Sequence, residues 1–411
     1  MKIVILSQYF PPEVGAPQNR LYELAVRLQS YGAEITVLTA MPNYPQMVVQ
    51  EKYKGKFFHC EMMDHLQVLR AWIFVSKSKA MVARLFNYFS FVFTSFFVGL
   101  FKLKKHDYLL CESPPLFLGI TAYLLCKIKG SKLIFNVSDL WPESAEKLGL
   151  VTNRFFLNSA TKLEEFLYKK SSLISGQTQG IVRNIQTRFP HKKVYWLPNG
   201  VDLNFYDFTN VNTTWRSKNN FSPDDFILFY AGIIGHAQGL EVIVNAAAAF
   251  IENSKIKFVL VGSGPEKDKL IELKNKLQLK NVFFFDAVAK SQMPEIVAAI
   301  DVSIIPLKKL DLFKGAIPSK IFENLAMKKP ILLGVEGEAK ELFIDEGNCG
   351  LAFEPENHVD LIEKIKTLYN DREKLATLGL NGFNYVQTKF TRDRIAKDFW
   401  QFIQNDFNEK G

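Results

Sequence analysis

Short strand-like runs alternate with helix-length stretches along most of this 411-residue chain, and that alternation restricts the fold more than any single motif does. KIVIL is followed by a helical pattern over residues 18–31 and then AEITVL; HDYLLC is followed by residues 116–129 and then KLIFNV. Parallel neighbours in a sheet need a crossover long enough to hold a helix, so this is the rhythm of a parallel sheet covered by its own connections. It restarts after Asn199 with FILFYA, a helix from Leu240, IKFVLVG, a helix from Pro265, NVFFF, a helix from Met293, DVSIIPL, a helix from Pro318 and PILLG. Two doubly wound α/β domains follow. The boundary falls at PNGVD, residues 198–202, because the stretch from there to Phe221 is rich in Asn, Asp and Thr, as surface linkers are. That divides the chain into residues 1–200 and 201–390. A final helix, residues 391–408, carries Phe399, Trp400, Phe402 and Phe407 with no strand after it, so it is expected to pack on the first domain.

Composition narrows the function. With 48% hydrophobic and 23% charged residues the chain is too apolar for disorder and too long for one ordinary core. Cys60, Cys111, Cys126 and Cys349 are scattered with no C-x-x-C pair, which fits buried thiols in a reducing cytosol better than disulfides or zinc. The first apolar run ends at Leu6, too short for a signal peptide, and reads as a buried strand. The formal charge of +9 is uneven: residues 1–200 hold 25 Lys and Arg against 13 Asp and Glu, or +12, leaving 26 against 29, or −3. The basic half therefore faces something anionic. No nucleic-acid module signature occurs and the basic residues flank apolar stretches, which favours a membrane surface over nucleic acid.

The stretch Leu85–Phe101 is uncharged, with Arg84 before it and Lys102, Lys104 and Lys105 close behind. Asn87, Ser90, Thr94, Ser95 and Gly99 interrupt it, so a helix lying in the lipid interface fits better than one that spans it. Phe89, Phe93 and Phe97 would then touch lipid and the three lysines its headgroups. A core helix of the first domain reads the same way, since buried helices are also apolar all round.

Several strand ends carry candidate chemistry, each with a plainer alternative. In doubly wound sheets ligands bind where strands end, and the first strand leads to Gly15 and Ala16, small enough to admit a ligand closely or merely a strand-to-helix loop. FNVSDLWPESA places Asp139 and Glu143 at such an edge, as acid or base, or as a helix cap. Gly262, Ser263 and Gly264 follow a strand and precede a helix, a partial anion cradle lacking a full G-x-G-x-x-G. In PSKIFENLAMKKPIL, Lys320 and Glu323 share a helix face, for phosphate and ribose or as a surface ion pair.

The order PPEVGAPQNR, SPPLFLG, FNVSDLWPESA, PNGVD, YAGIIGHAQGLE, GSGP and PSKIFENLAMKKPIL resembles glycosyltransferase family 4, especially its branch of L-fucosamine and related deoxyaminosugar transferases of surface polysaccharide synthesis, over nearly the whole chain. The resemblance implies the GT-B fold, two facing Rossmann-like domains with the final helix crossing back, the acceptor bound by the first domain and the donor by the second. It implies that Glu323 and the adjoining Ser319 bind the donor, that Gly262–Pro265 lies by the nucleotide, that Val288 contacts the base through backbone, and that Gly15 and Ala16 approach the diphosphate. Asp139 stands where many members place a histidine beside the reacting sugar. Two departures matter: the usual Arg and Lys after the strand YAG are here Ile233 and Gln238, and the first Glu of the paired-glutamate motif is Gly315. Lys320, Lys314 and His236 are the cations in neighbouring motifs that would offset the diphosphate, Lys320 foremost.

The activity so implied is retaining hexosyl transfer, by a front-face mechanism, of an acetamido-deoxyhexose from a UDP-sugar to a polyprenyl-diphosphate-linked saccharide at the inner leaflet. With no D-x-D and no His/Cys cluster at metal spacing, no metal or other cofactor is expected. The alternatives are an inactive nucleotide-sugar-binding membrane scaffold and a nucleotide-sugar epimerase on the same fold.

Overall fold

The computed structural model describes residues 1–13, 15–44, 46–78, 81–147, 149, 151–212 and 214–409. Among them, fourteen strands and fifteen α-helical segments follow in the order β1 (Lys2–Leu6), α1 (Ala16–Ser30), β2 (Glu34–Ala40), β3 (Phe58–Met63), β4 (Leu66–Ala71), α2 (Met81–Lys102), β5 (Tyr108–Ser113), α3 (Leu118–Lys129), β6 (Lys132–Val137), α4 (Glu143–Lys147), α5 (Arg154–Lys170), β7 (Leu173–Gly176), α6 (Gln179–Arg188), β8 (Val194–Trp196), α7 (Trp215–Lys218), β9 (Phe226–Ala231), α8 (Glu241–Ala247), β10 (Ile256–Val261), α9 (Lys267–Lys276), β11 (Val282–Phe285), α10 (Met293–Ala299), β12 (Val302–Pro306), α11 (Lys320–Ala326), β13 (Ile331–Gly334), α12 (Glu338–Lys340), β14 (Gly350–Ala352), α13 (His358–Asn370), α14 (Arg372–Lys389) and α15 (Arg392–Asn408). They form two units, Met1–Asn199 with Arg392 onward, and Gly200–Thr391.

In the first unit the strand order is β3-β4-β2-β1-β5-β6-β7-β8, parallel throughout except for the β3–β4 hairpin. The hairpin turns on Asp64 and His65, both with φ above zero, the geometry of a two-residue turn that matches the twist of its strands. Strand order reverses between β1 and β5. Ile3, Val4, Ile5 and Leu6 of β1 are all buried, as a strand covered on both faces must be. The final helix α15 packs Ile395, Ala396, Phe399 and Ile403 into the same cluster as Leu21, Leu24 and Leu28 of α1. Its far end is tied to the sheet, where buried Asp406 accepts hydrogen bonds from Tyr108 Oη at 2.8 Å and Lys132 Nζ at 3.0 Å.

Helix α2, which holds the apolar segment, has two different faces. Asn87, Phe91, Thr94, Ser95 and Val98 are buried, whereas Phe86 is 63% and Phe93 64% exposed, with Phe89 and Phe101 also in the open. Its polar residues hold a neighbouring segment: Asn87 Nδ2 donates to the Phe74 carbonyl at 2.6 Å, Ser90 Oγ accepts from Phe74 N at 2.9 Å, and Thr94 Oγ1 donates to the Trp72 carbonyl at 2.5 Å. The helix is thus half core and half exposed aromatic surface. It is long and apolar enough to cross a membrane, but that inward face already has protein partners.

The second unit has the sheet β11-β10-β9-β12-β13-β14, all parallel, with strand order reversing between β9 and β12. Helix α9 begins at Lys267, two residues later than the sequence suggests. The reason is local: Glu266 N is drawn to the Ile234 carbonyl at 3.1 Å and Lys267 N to that of Gly264 at 3.2 Å, which holds Pro265 and Glu266 in a turn.

Asn87 also accepts from Gln8 Nε2 at 2.9 Å, so it joins α2 to the loop after β1. Replacing it with leucine would leave the buried Gln8 amide and the partly buried Phe74 carbonyl without this partner, and Asn87→Leu is expected to lose about 1–3 kcal/mol in a urea melt.

Candidate functional site

The C-terminal edge of the second sheet gathers most of the donor candidates. Gly232 to Gly239 follow β9, Gly262 to Gly264 follow β10, Val288 lies in the loop after β11, and Ser319, Lys320 and Glu323 lie on the crossover from β12 to β13. The loops after β9 and β10 interlock: Gly232 N donates to the Val261 carbonyl at 3.0 Å and Ile234 N to that of Ser263 at 2.9 Å. A Cβ on Gly262 would overlap the Gly232 carbonyl oxygen, and one on Gly264 the Ile234 carbonyl oxygen. These glycines therefore serve the approach of one loop to the other, a packing role that the sequence pattern alone does not separate from a ligand cradle.

Lys320 opens α11 with its ammonium 4.0 Å from the centre of the Tyr230 ring. Tyr230 is buried and donates its hydroxyl to the Ile233 carbonyl at 2.6 Å, so the ring is pinned. Burial pushes the Lys320 pKa down to about 8, with the nearby Glu323 carboxylate pulling the other way. A charged lysine held against a π face is prepared for an anion. Glu323 is half-buried in the first turn of α11, and Ser319, half-buried at its N-cap, makes no side-chain cap bond. Lys314 is less available: it is exposed and pairs with Asp311 at 2.7 Å. His236 is exposed and lies against Lys308. Ile233, where the resemblance implies a cation, is 61% exposed at this edge.

In the first unit the candidates are more dispersed. Gly15 precedes α1 in extended backbone with the Gln18 side chain folded over it; the backbone of Ala16 opens α1, and its side chain lies outside the described residues. Asp139 follows β6 and accepts from Ser144 Oγ at 2.7 Å, with burial raising its pKa. Glu143, its partner in the motif, instead makes an exposed ion pair with Lys147 at 2.6 Å. The expected lipid-facing group divides. Phe89 and Phe93 are exposed and Phe97 half-buried against Phe93, whereas Lys102, Lys104 and Lys105 border a small cleft with Lys2 and Glu34 at the N-terminal edge of the sheet. Among the described residues no group of three or more His, Cys, Asp or Glu is placed to hold a metal ion.

A buried charge network beside Asp139 was not singled out from sequence. Arg20 of α1, 4% exposed, donates through Nη2 to the Glu112 carboxylate of β5 and to Ser138 Oγ at 2.7 Å. Asn136 Nδ2 also donates to Glu112, and Ser175 Oγ donates to Asn136 Oδ1 at 2.7 Å. The signal was present: Arg20 interrupts the apolar stripe of α1 beside Leu21, and Glu112 is a charge inside a wholly buried strand. Removing the arginine leaves Glu112 buried and uncompensated, so Arg20→Met is expected to lower stability by about 3–5 kcal/mol in denaturant titration, more than Glu112→Gln/Arg20→Met together.

Residues 211–385 match the family model of glycosyl transferases group 1. WcaI of Escherichia coli strain K12, named as a colanic acid biosynthesis glycosyl transferase, is 24% identical over 375 residues, covering 89% of this chain and 91% of that protein. Among solved structures, sucrose-phosphate synthase of Thermosynechococcus elongatus superposes with TM-score 0.77 at 16% identity over 99% of each chain. HepE of Anabaena in complex with UDP-glucose superposes with TM-score 0.71 at 18% identity over 98% of this chain and 100% of that one. The architecture of both units and the glycosyl transferases group 1 domain in the second identify the chain as a glycosyltransferase of the GT-B fold.

Proposed function

We propose that this glycosyltransferase moves a sugar, of the acetamido-deoxyhexose class, from a UDP-sugar to a polyprenyl-diphosphate-linked saccharide during surface polysaccharide synthesis, at the cytoplasmic face of the membrane. The observation that carries the donor half of this reading is Lys320, desolvated against Tyr230 beside the switch point of the second sheet, where ligands of doubly wound sheets bind. Its ammonium would offset charge developing on the leaving diphosphate, and Glu323, one helical turn on, would take the ribose hydroxyls. The UDP-glucose bound by HepE and the colanic acid assignment of WcaI support the nucleotide-sugar and polysaccharide parts. Transfer is proposed to retain anomeric configuration and to need no metal, with Asp139 contacting the acceptor or the reacting sugar. In the first unit the exposed Phe86, Phe89 and Phe93 of α2 support a lipid-facing surface.

The donor reading sets a pH dependence. Lysine binds a diphosphate as ammonium, so kcat/KM, which reports the free enzyme, is expected to fall as pH rises through about 8, where Lys320 loses its proton. Lys320→Arg should move that limb to higher pH, because guanidinium keeps its charge. Lys320→Ala should lower turnover by roughly 100-fold or more in assays containing EDTA. A wild-type profile flat from pH 7 to 10, or activity lost to EDTA alone and restored by a divalent cation, would contradict this account.

The membrane reading has its own test. Serine at Phe86, Phe89 and Phe93 together is expected to weaken flotation with anionic vesicles while leaving transfer to a short-chain, water-soluble acceptor unchanged. Undiminished vesicle binding would show that this face serves another purpose.

A further inference from the structure

We propose that Lys308, seated on the imidazole of His236, supplies the diphosphate counter-charge that Ile233 and Gln238 do not. This rests on the donor site proposed above and names a residue that neither motif nor family pattern assigns.

The position follows from topology. β9 and β12 are neighbours at the point where strand order reverses, so the loops leaving their C-terminal ends flank one crevice. His236 lies on the first loop and Lys308 on the second, two residues beyond the end of β12. The loops are joined by backbone: Lys308 N donates to the Ala237 carbonyl at 3.0 Å. Gly239, at φ +56°, leaves room for the lysine stem, since a Cβ there would come within 3.3 Å of Lys308 Cγ. The stem so guided delivers the ammonium to the ring, 2.9 Å from Nε2 and 3.2 Å from Nδ1 of His236.

The partner is what makes this lysine unusual. Nearby lysines are spent on carboxylates: Lys309 on Glu354 at 2.6 Å, Lys314 on Asp311 at 2.7 Å, Lys267 on Asp286 at 2.7 Å and Lys269 on Glu241 at 2.9 Å. Among the described residues, the Lys308 ammonium has the His236 imidazole as its hydrogen-bonding partner. The imidazole carries no negative charge and Glu241, in electrostatic reach of Lys308, is already paired with Lys269, so the Lys308 ammonium keeps donors and charge available for an anion. Lys320 reaches the same loop at its other end, where a Cβ on Gly232 would sit 3.0 Å from its Nζ. The loop from Gly232 to Gly239 thus has a cation at each end, one for each of two linked phosphates.

Binding of UDP, GDP and dTDP, and of the matching monophosphates, by calorimetry tests this on the full chain. The nucleoside diphosphate that the wild type prefers is expected to bind Lys308→Met about 10–100-fold more weakly, the range for one hydrogen bond to a charged group. The monophosphate should change by less than about threefold, since it lacks the second phosphate. Lys308→Arg should retain most of the diphosphate affinity, and Gln238→Lys added to Lys308→Met should restore part of it, which no loss of folding would do. Unchanged diphosphate affinity in Lys308→Met, or equal loss of both nucleotides without restoration by Gln238→Lys, overturns the assignment of Lys308 alone. Failure of the wild type to bind any of the three diphosphates overturns the donor site itself.

Discussion

Parallel strand pairing is the constraint on which everything else here depends. Each parallel neighbour must be reached by a crossover, so all strands of a sheet end on the same side and their loops collect along one edge. Where strand order reverses, between β1 and β5 and again between β9 and β12, the loops diverge and leave a crevice. Lys320, Glu323 and Lys308, argued above to hold the nucleotide part of the donor, sit at the second of these edges. The glycines at 262 and 264 let two such loops lie against each other, so the edge is a packed surface.

Charge is distributed over this frame in two ways. At the first crevice Arg20 and Glu112 neutralise each other inside a hydrogen-bonded network with Ser138, Asn136 and Ser175, an arrangement that positions elements and leaves little free charge. At the second, Lys320 and Lys308 rest on a phenol ring and an imidazole, partners that hold the cations in place and carry no negative charge to cancel them. The contrast separates a buried pair that organises its surroundings from cations available to a ligand.

How much was legible from residues alone depended on where each element lies. The central strands, such as KIVIL and FILFYA, showed as continuous apolar runs because they are buried on both faces. The edge hairpin β3–β4 did not, since FHCEMM is partly exposed and its Asp64–His65 turn lacks the glycine that marks such turns. Strands β7 and β8, four and three residues long, are too short for a period to register. Helix α2 was visible as an element, but its polar residues read as a weakness in an apolar helix, while in the structure Asn87, Ser90 and Thr94 bind the segment at Trp72 and Phe74.

Residue pattern by itself determined two parallel sheets, the final helix and the strand-end motifs, because each is written in contiguous stretches whose period and turn residues act locally. Tertiary structure alone decided which charges meet. Arg20 finds Glu112 across 92 residues and Lys308 finds His236 across 72, distances in sequence over which no local rule operates. It also decided that α2 keeps an aromatic face outward, since which side of a helix is covered depends on what packs against it. Local propensity specifies elements; the juxtaposition of their ends, where the chemistry lies, is a property of the assembled sheets.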